Sequence, residues 1–339
     1  MCEKGAKLVL LVTGKCLRRC CYCPLSVEKR GKDVFFANEK RVVSADEVLR
    51  EAELMDALGT GITGGDPLAA VDRTVECIAA LKSRFGGGHH IHLYTSTTDS
   101  AKIARVAKAG LDEIRFHPPM NAWHRLDKSP FPGAIKKAKA SGLDVGLEIP
   151  VIPARRTDLV SAIAFADKLE LDFVNLNELE FSETNWRVLR SLGFDTKKED
   201  ETSSGVAGSE ELALELLGLD SDVSLHYCSS AFKDGIQLRR RITRRAKNVR
   251  KPHEFLTKDG TFIKGVVETR DPGRTASDIS REFGIPRRLL WIDDEKRRLE
   301  VAPWLLEEIA PELNMPSYIV EEYPTADRLE VERRPLRRR

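Results

Sequence analysis

Lys7-Leu8-Val9-Leu10-Leu11-Val12-Thr13-Gly14-Lys15-Cys16-Leu17-Arg18-Arg19-Cys20-Cys21-Tyr22-Cys23-Pro24 is the stretch on which the reading of this chain turns. Lys7–Val12 is an apolar run of strand length, and Thr13-Gly14 breaks it. The loop that follows carries four cysteines within eight residues. Passing over Cys21 leaves Cys16, Cys20 and Cys23 spaced C-x3-C-x2-C on one tight loop directly after a strand. Thiolates are soft ligands that suit iron–sulfur clusters, zinc or Cu(I). A closed site needs four ligands, and taking Cys21 as the fourth would put the adjacent Cys20 and Cys21 on one metal, which strains the geometry. A site built on three leaves one coordination position open.

The same unit of strand, polar loop and helix repeats outward from this stretch. Strands are expected at Gly59–Thr63, His90–Thr95, Glu113–Phe116, Val145–Ile149 and Phe173–Leu176. Helices are expected at Ala45–Leu58, Ala70–Phe85, Ser100–Ala109, Pro132–Ser141, Leu159–Leu169 and Thr184–Leu192. Ser44-Ala45-Asp46-Glu47 reads as a capping box, and Gly59, Gly110, Gly142 and Gly193 fall where helices should stop. Six such units predict α/β architecture with a parallel sheet, either a partial (β/α)6 barrel or a doubly wound sheet. Both put ligands at the C-terminal ends of the strands. The polar motifs sit there: Gly64-Gly65-Asp66-Pro67, Thr95-Ser96, His117 with its loop to His124, Glu148-Ile149 and Asn175-Leu176-Asn177.

A polar segment, Asp195–Glu210, reads as an exposed loop, followed by a helix to Leu217 and a strand near Val223–Tyr227 that ends at Cys228. A first domain over 1–230 and a smaller α+β domain over 231–339 follow. The net charge of +2 excludes a global polycation but conceals an uneven chain. Residues 231–339 hold 25 basic and 19 acidic side chains, and Lys233–Lys251 alone holds nine basic and one acidic. That run could meet an anionic substrate or RNA, although it lacks the interleaved aromatics of a base-stacking surface. Lys258-Asp259-Gly260 predicts a hairpin turn. A short helix near Ala276–Phe283, a strand near Leu289–Ile292 and a helix at Pro303–Ile309 are expected beyond it, and Arg333–Arg339 reads as a frayed basic tail.

Hydrophobic residues make up 41% of the chain, enough for a full core, so wholesale disorder is excluded. No apolar run approaches the roughly 20 residues that span a bilayer. Seven cysteines, an odd number, with no secretory signal point to a reduced cytoplasmic setting, where clustered thiols bind metal or react. Cys77 reads as core and Cys2 as terminal. Cys228, at a strand end, is a candidate catalytic thiol. Zinc would need a fourth ligand from His89, His90 or His92.

Cys16, Cys20 and Cys23, with Tyr22 just before the last cysteine, resemble the C-x3-C-x-aromatic-C signature of radical S-adenosylmethionine (SAM) enzymes. Gly64-Gly65-Asp66-Pro67, after the next expected strand, is similar to that family's G-G-[E/D]-P motif, with Asp where Glu is commoner. The look is closest to the branch of pyruvate formate-lyase-activating enzymes, among uncharacterised archaeal-type relatives. The resemblance covers roughly residues 7–195. It implies a TIM-like partial barrel and a [4Fe-4S] cluster on Cys16, Cys20 and Cys23, with Cys21 a passenger. It also implies SAM cleavage to a 5′-deoxyadenosyl radical that abstracts hydrogen from a substrate, and a reductant protein as electron donor. Cofactor contacts are implied at Tyr22, Gly64, Gly65, Asp66, Thr95, Ser96, Arg115, His117, Glu148, Asn175 and Asn177. The length beyond the barrel exceeds what a minimal activase needs, so RNA or cofactor modification stands beside protein activation. The reading from another class is a non-enzymatic, basic RNA-binding protein with a structural metal site.

Overall fold

The computed structural model describes residues 1–197 and 204–336. They divide into two compact units, one holding most of the chain up to Gln237, the other Leu238–Arg339 with Glu3–Gly5 and Leu54–Asp56. In the first unit the strands are β1 (Lys7–Leu11), β2 (Phe36–Ala37), β3 (Lys40–Arg41), β4 (Gly59–Thr63), β5 (His90–Thr95), β6 (Glu113–Phe116), β7 (Asp144–Val151), β8 (Phe173–Glu178) and β9 (Ser224–Cys228). They form one sheet in the order β3-β2-β1-β4-β5-β6-β7-β8-β9. The short β2 and β3 add on antiparallel beside β1, and β1 and β4 to β9 are parallel throughout. The order never reverses, so the crossovers all step one way and the doubly wound alternative falls. The strand expected near Val223–Tyr227 joins as a seventh parallel strand beside the six.

The intervening helices are α1 (Ala45–Leu54), α2 (Val71–Phe85), α3 (Ser100–Lys108), α4 (Phe131–Ala140), α5 (Arg156–Lys168), α6 (Trp186–Ser191), α7 (Ser209–Leu217) and α8 (Ser230–Phe232). α1 ends four residues before the expected Leu58. Asp56 takes the left-handed position at φ 48°, and the Ala57 N–H closes back on the Ala52 carbonyl. Asp tolerates that conformation, so the stop does not wait for Gly59, which opens β4 instead. α5 starts three residues ahead of the expected Leu159, after a 3₁₀ turn at Pro153–Arg155. The Ser44 hydroxyl accepts from the Glu47 N–H at 3.4 Å, while the Glu47 carboxylate reaches the Val43 N–H at 2.6 Å, one residue outside a reciprocal box. Of the polar loop at Asp195–Glu210, residues 198–203 lie outside the described residues.

Strand alternation gives this sheet two chemically distinct faces. Leu8, Leu10, Ile62, Ile91, Leu93, Ile114, Phe116, Val145, Leu147, Ile149, Val174 and Leu176 are fully buried on the face that packs against the helices. The other face carries Lys7, His92, Tyr94, Arg115, Glu148, Asn175, Asn177 and Cys228. On it, Gly61 leaves room for the His92 ring, which a Cβ there would meet at 2.7 Å.

The second unit continues with α9 (Arg239–Val249), β10 (Phe255–Leu256), β11 (Phe262–Glu268), α10 (Pro272–Glu282), β12 (Leu290–Asp293), β13 (Arg298–Val301), α11 (Pro303–Ile309), β14 (Ser317–Glu322) and β15 (Glu330–Pro335). Its antiparallel sheet runs β12-β13-β11-β14-β15, with β10 paired to β11 across the Lys258-Asp259-Gly260 turn. Gly260 sits there at φ 88°. One sheet face packs Val267, Leu299 and Val301 on Ala276, Ile279 and Leu306. The opposite face buries charge: Lys264 lies 2.6 Å from Glu300, and Glu322 and Glu254 also surround it. Arg333, Arg334 and Pro335 belong to β15, paired with β14, which corrects the frayed-tail expectation; residues 337–339 lie outside the described residues.

Candidate active site at the strand ends

The cysteine loop is seated from below and from both sides. Val12 N–H bonds Thr63 at the head of β4, and Gly14 exchanges backbone hydrogen bonds with Lys32 and Gly31. Asp33 accepts from the Thr13 hydroxyl at 3.1 Å and from Arg73 at 2.8 Å, while Arg73 also reaches the Val12 carbonyl. At the loop's far end the Tyr22 hydroxyl and His117 Nε2 share a hydrogen bond of 3.0 Å. Asn185 donates to the Tyr22 carbonyl and Thr184 to the Cys23 carbonyl. Burial lowers the His117 pKa, which favours the neutral ring. Cys23 N–H turns back onto the Cys20 carbonyl. Desolvation raises the Cys16 and Cys20 thiols, so neither is a ready thiolate by itself.

The donor set fits a multi-iron cluster better than a single ion. Two sulfurs on one zinc at about 2.3 Å stand roughly 3.8 Å apart. Among the described residues the one trio of ligand atoms gathered within 4.8 Å is His253, Glu254 and Glu300, not the cysteines. The histidines named as a zinc alternative are occupied near the opposite ends of the strands. His89 bonds Thr60 at 2.8 Å, His90 faces Glu113, and His92 accepts from Lys7 at 2.7 Å.

The Gly64-Gly65-Asp66-Pro67 turn packs directly on the cysteine loop. A Cβ on Gly64 would meet the Thr13 carbonyl oxygen at 2.3 Å, and one on Gly65 the Lys15 carbonyl oxygen at 2.4 Å. Gly65 and Asp66 N–H groups bond the Thr13 and Lys15 carbonyls. The glycines are thus required by backbone meeting backbone. Asp66 is already engaged within the protein. Its carboxylate is buried and accepts four hydrogen bonds, from Leu68 N–H (3.0 Å), the Thr95 hydroxyl (2.8 Å), Ser96 N–H (3.0 Å) and the Ser96 hydroxyl (2.9 Å). Four is its usual capacity. Asp66, Thr95 and Ser96 therefore spend these side-chain bonds on one another, tying the end of β4 to the end of β5.

Arg115, Glu148, Asn175 and Asn177 come together on the polar sheet face. Glu148 accepts from Arg115 at 3.1 Å, from Asn175 at 2.6 Å and from Asn177 at 2.5 Å. Burial works against the Arg115 charge, but Tyr94, Glu148 and Glu113 around it more than offset that and raise its pKa. The chain of contacts runs on through Tyr94 and His92 to Lys7. Asn175 Oδ1 is buried there with no hydrogen-bond partner. A buried unpaired acceptor costs about 1–3 kcal/mol, which a ligand could offset. Cys228 pairs in register with Asn177 and shares this face, its thiol pushed up to about 11 by burial. Ile149 faces the helices, and His124 is exposed on a 3₁₀ helix at Met120–Lys128, where a loop was expected.

Sequence reasoning missed Tyr94, Asn185 and Thr184. Tyr94 was findable, since it alternates with His90 and His92 along one strand face. Asn185 lies 163 residues from its Tyr22 partner and carries no local signal.

Of the basic run, Lys233 pairs with Glu180 at 2.6 Å and Arg239 with Asp259 at 3.7 Å. Arg245 donates to the Pro324 carbonyl and Arg250 to the Glu254 carbonyl, and Lys251 stacks over Trp291 at 4.2 Å.

Residues 10–124 match the family model described as the radical SAM superfamily, and residues 260–336 match a domain of unknown function. A protein of Methanocaldococcus jannaschii, provisionally named a glycyl-radical enzyme activating enzyme, is 39% identical over 99% of this chain and 91% of its own length. Among solved structures, Streptococcus suis SuiB bound to its precursor peptide SuiA overlaps 67% of this chain and 49% of SuiB, at 12% identity and a TM-score of 0.46. This chain thus spans about half the length of SuiB. Methylornithine synthase overlaps 67% of this chain and 74% of its own, at 12% identity and a TM-score of 0.42. Overlaps of that extent identify neither substrate nor reaction.

Proposed function

Because the chain belongs to the radical SAM superfamily, we propose that Cys16, Cys20 and Cys23 hold a [4Fe-4S] cluster and that the enzyme activates a protein partner by hydrogen-atom abstraction. The cluster, when bound, supplies the electron for reductive cleavage of SAM. The chain's own residues do the rest. Tyr22, His117, Asn185 and Thr184 fix the cysteine loop, Gly64 and Gly65 bring backbone carbonyls beside it, and Asn175 offers its free acceptor to the bound ligand. Arg115, Glu148 and Asn177 hold that acceptor in place.

The observation that carries this reading is the packing of the Gly64-Gly65 turn against the backbone of the loop that bears three spaced, half-buried thiols. Membership of an enzyme family removes the non-enzymatic reading. The protein-partner choice rests on the name of the 39% identical relative. That relative matches this chain nearly end to end, so the length beyond the barrel no longer speaks against an activase. The internal engagement of much of Lys233–Lys251 weighs against an RNA surface there. A reductant protein is the implied electron donor.

Protein purified without oxygen should carry iron and sulfide, and after reduction should convert SAM to 5′-deoxyadenosine. Cys16→Ala, Cys20→Ala and Cys23→Ala should each lose cluster iron, and Cys21→Ala should keep it. Mixed with SAM and a glycyl-radical enzyme in its unactivated form, the reduced enzyme should give a protein-centred radical by electron paramagnetic resonance. Zinc in place of iron, or iron retained in Cys20→Ala but lost in Cys21→Ala, would refute the ligand assignment.

A further inference from the structure

The two edges of the second unit's sheet differ in kind. The β15 edge is blunted: Glu330, Glu332, Arg333 and Arg334 populate it and Pro335 ends it. Charges and proline on an edge prevent another chain from adding to the sheet. The β12 edge reads Leu290-Trp291-Ile292-Asp293, with Trp291 45% exposed. A recess beside it is lined by Ala276, Arg287, Leu290, Trp291 and Ile292.

The pairing of β12 fixes which backbone groups are open. Ala302 N–H bonds the Leu289 carbonyl, and the register continues Leu290↔Val301, Trp291↔Glu300, Ile292↔Leu299, Asp293↔Arg298. Hydrogen-bonded pairs alternate along an antiparallel ladder, so Trp291 and Asp293 turn their backbone toward β13. Ile292 turns both of its groups outward and Leu290 its carbonyl, the Leu290 N–H being bonded to the Arg287 carbonyl. The flanking sequence is Arg287-Arg288-Leu289-Leu290-Trp291-Ile292-Asp293-Asp294-Glu295, basic before the strand and acidic after it. Arg287, Arg288, Asp294 and Glu295 are all exposed.

That pattern is complementary to itself when reversed. We propose that β12 pairs antiparallel with β12 of a second copy of this chain about a two-fold axis at Trp291, making one continuous sheet across a homodimer. In that register Leu290 of each copy opposes Ile292 of the other, so the open Ile292 N–H of each meets the open Leu290 carbonyl of its partner. The same arrangement brings the basic 3₁₀ turn at Arg287–Leu289, which leads into β12, beside the acidic turn at Asp294-Glu295 that leaves it in the other copy, on both sides of the axis. It also places the two half-exposed Trp291 residues opposite each other as a closely spaced non-hydrogen-bonded pair. An isologous contact of this kind closes at two copies. A parallel arrangement, or a shift of one residue, would set like charges together or offer the wrong backbone groups.

The test is the mass of the full-length protein by sedimentation equilibrium across micromolar concentrations, at low and high salt. A dimer that weakens with salt is expected, because the flanking charges are exposed. Arg288→Asp and Asp294→Arg should each raise the dissociation constant roughly tenfold, since each change sets like charges together at both ends of the paired strands. Combining the two restores opposite charges across the axis and should restore the dimer. Ile292→Pro removes an outward N–H without touching the β13 ladder and should also give monomer. Circular dichroism of every variant should match the parent. A wild-type protein that stays monomeric would overturn the proposal, as would single reversals that leave the dimer intact or a double reversal that fails to restore it.

Discussion

Asp66→Asn separates two roles for one carboxylate. In the wild type Oδ1 accepts from Leu68 N–H and the Thr95 hydroxyl, and Oδ2 from Ser96 N–H and the Ser96 hydroxyl. An asparagine oxygen can keep the first two. Its amide nitrogen then meets Ser96 N–H donor to donor, although the Ser96 hydroxyl can turn to accept. The loss is one charge-assisted bond, a weakening of the others, and a buried N–H left unpaired. Together these come to about 2–4 kcal/mol. For a unit of this size each kcal/mol moves the midpoint by about 2–4 °C, so a drop of about 4–16 °C is expected. The assay is calorimetry on the apo protein with no SAM present, which resolves the transition of the first unit. An Asp66→Asn protein that unfolds at the wild-type temperature, yet binds SAM more weakly in its cluster-loaded form, would refute the reasoning. The carboxylate would then be a ligand to SAM and not a tie between strands.

Two further perturbations test other parts of the molecule. Burial lowers the His89 pKa to about 4, so between that value and the unfolded value of 6.5 the unfolded chain binds a proton that the folded one does not. Stability should therefore be full above pH 6.5 and fall on acidification toward pH 4, and His89→Gln should flatten that limb in urea midpoints measured against pH; an unchanged slope would contradict it. Lys264→Met should cost the second unit about 3–5 kcal/mol, because Glu254, Glu300 and Glu322 would lose the ammonium they share; a wild-type urea midpoint for that unit would refute the charge cluster as a coupled element.

The parallel sheet was legible because the strands are short apolar runs, with Gly64 and Ser96 directly after two of them, and helices of ordinary amphipathic period fill the gaps. The cysteine loop was legible from spacing alone. What escaped was whatever depends on partners distant in sequence. Asp66 reads equally well as a ligand or as a tie, and only the positions of Thr95 and Ser96, 29 and 30 residues away, separate the two. The charged face of the second sheet escaped for the same reason. Lys264 shares its strand face with Phe262 and Val266, and nothing local indicates that Glu300 and Glu322 arrive to bury its charge there. The tail misled because five arginines among its last seven residues look solvated, whereas register with β14 draws Arg333 and Arg334 into a strand.

The polar sheet face gains its chemical meaning from what it leaves unspent. Glu148 accepts from three side chains, and Arg115 is shared among Glu148, Glu113 and Tyr94. Groups so interlinked have already lost their rotamer freedom on folding, so a ligand does not bear that cost again. They are also poor direct contacts, because each new bond would have to displace an existing one. The same holds for Asp66 with Thr95 and Ser96, and for Tyr22 with His117. Under the function proposed above, recognition would fall to the remainder: the unpartnered Asn175 oxygen, the backbone around Gly64 and Gly65, and the Cys228 thiol one strand from Asn177. Residues picked by type and position at the strand ends thus sort into a fixed frame and a small set of free atoms. Stability measurements on the apo protein read the frame, while ligand binding reads the free atoms, so the two sets can be told apart one substitution at a time.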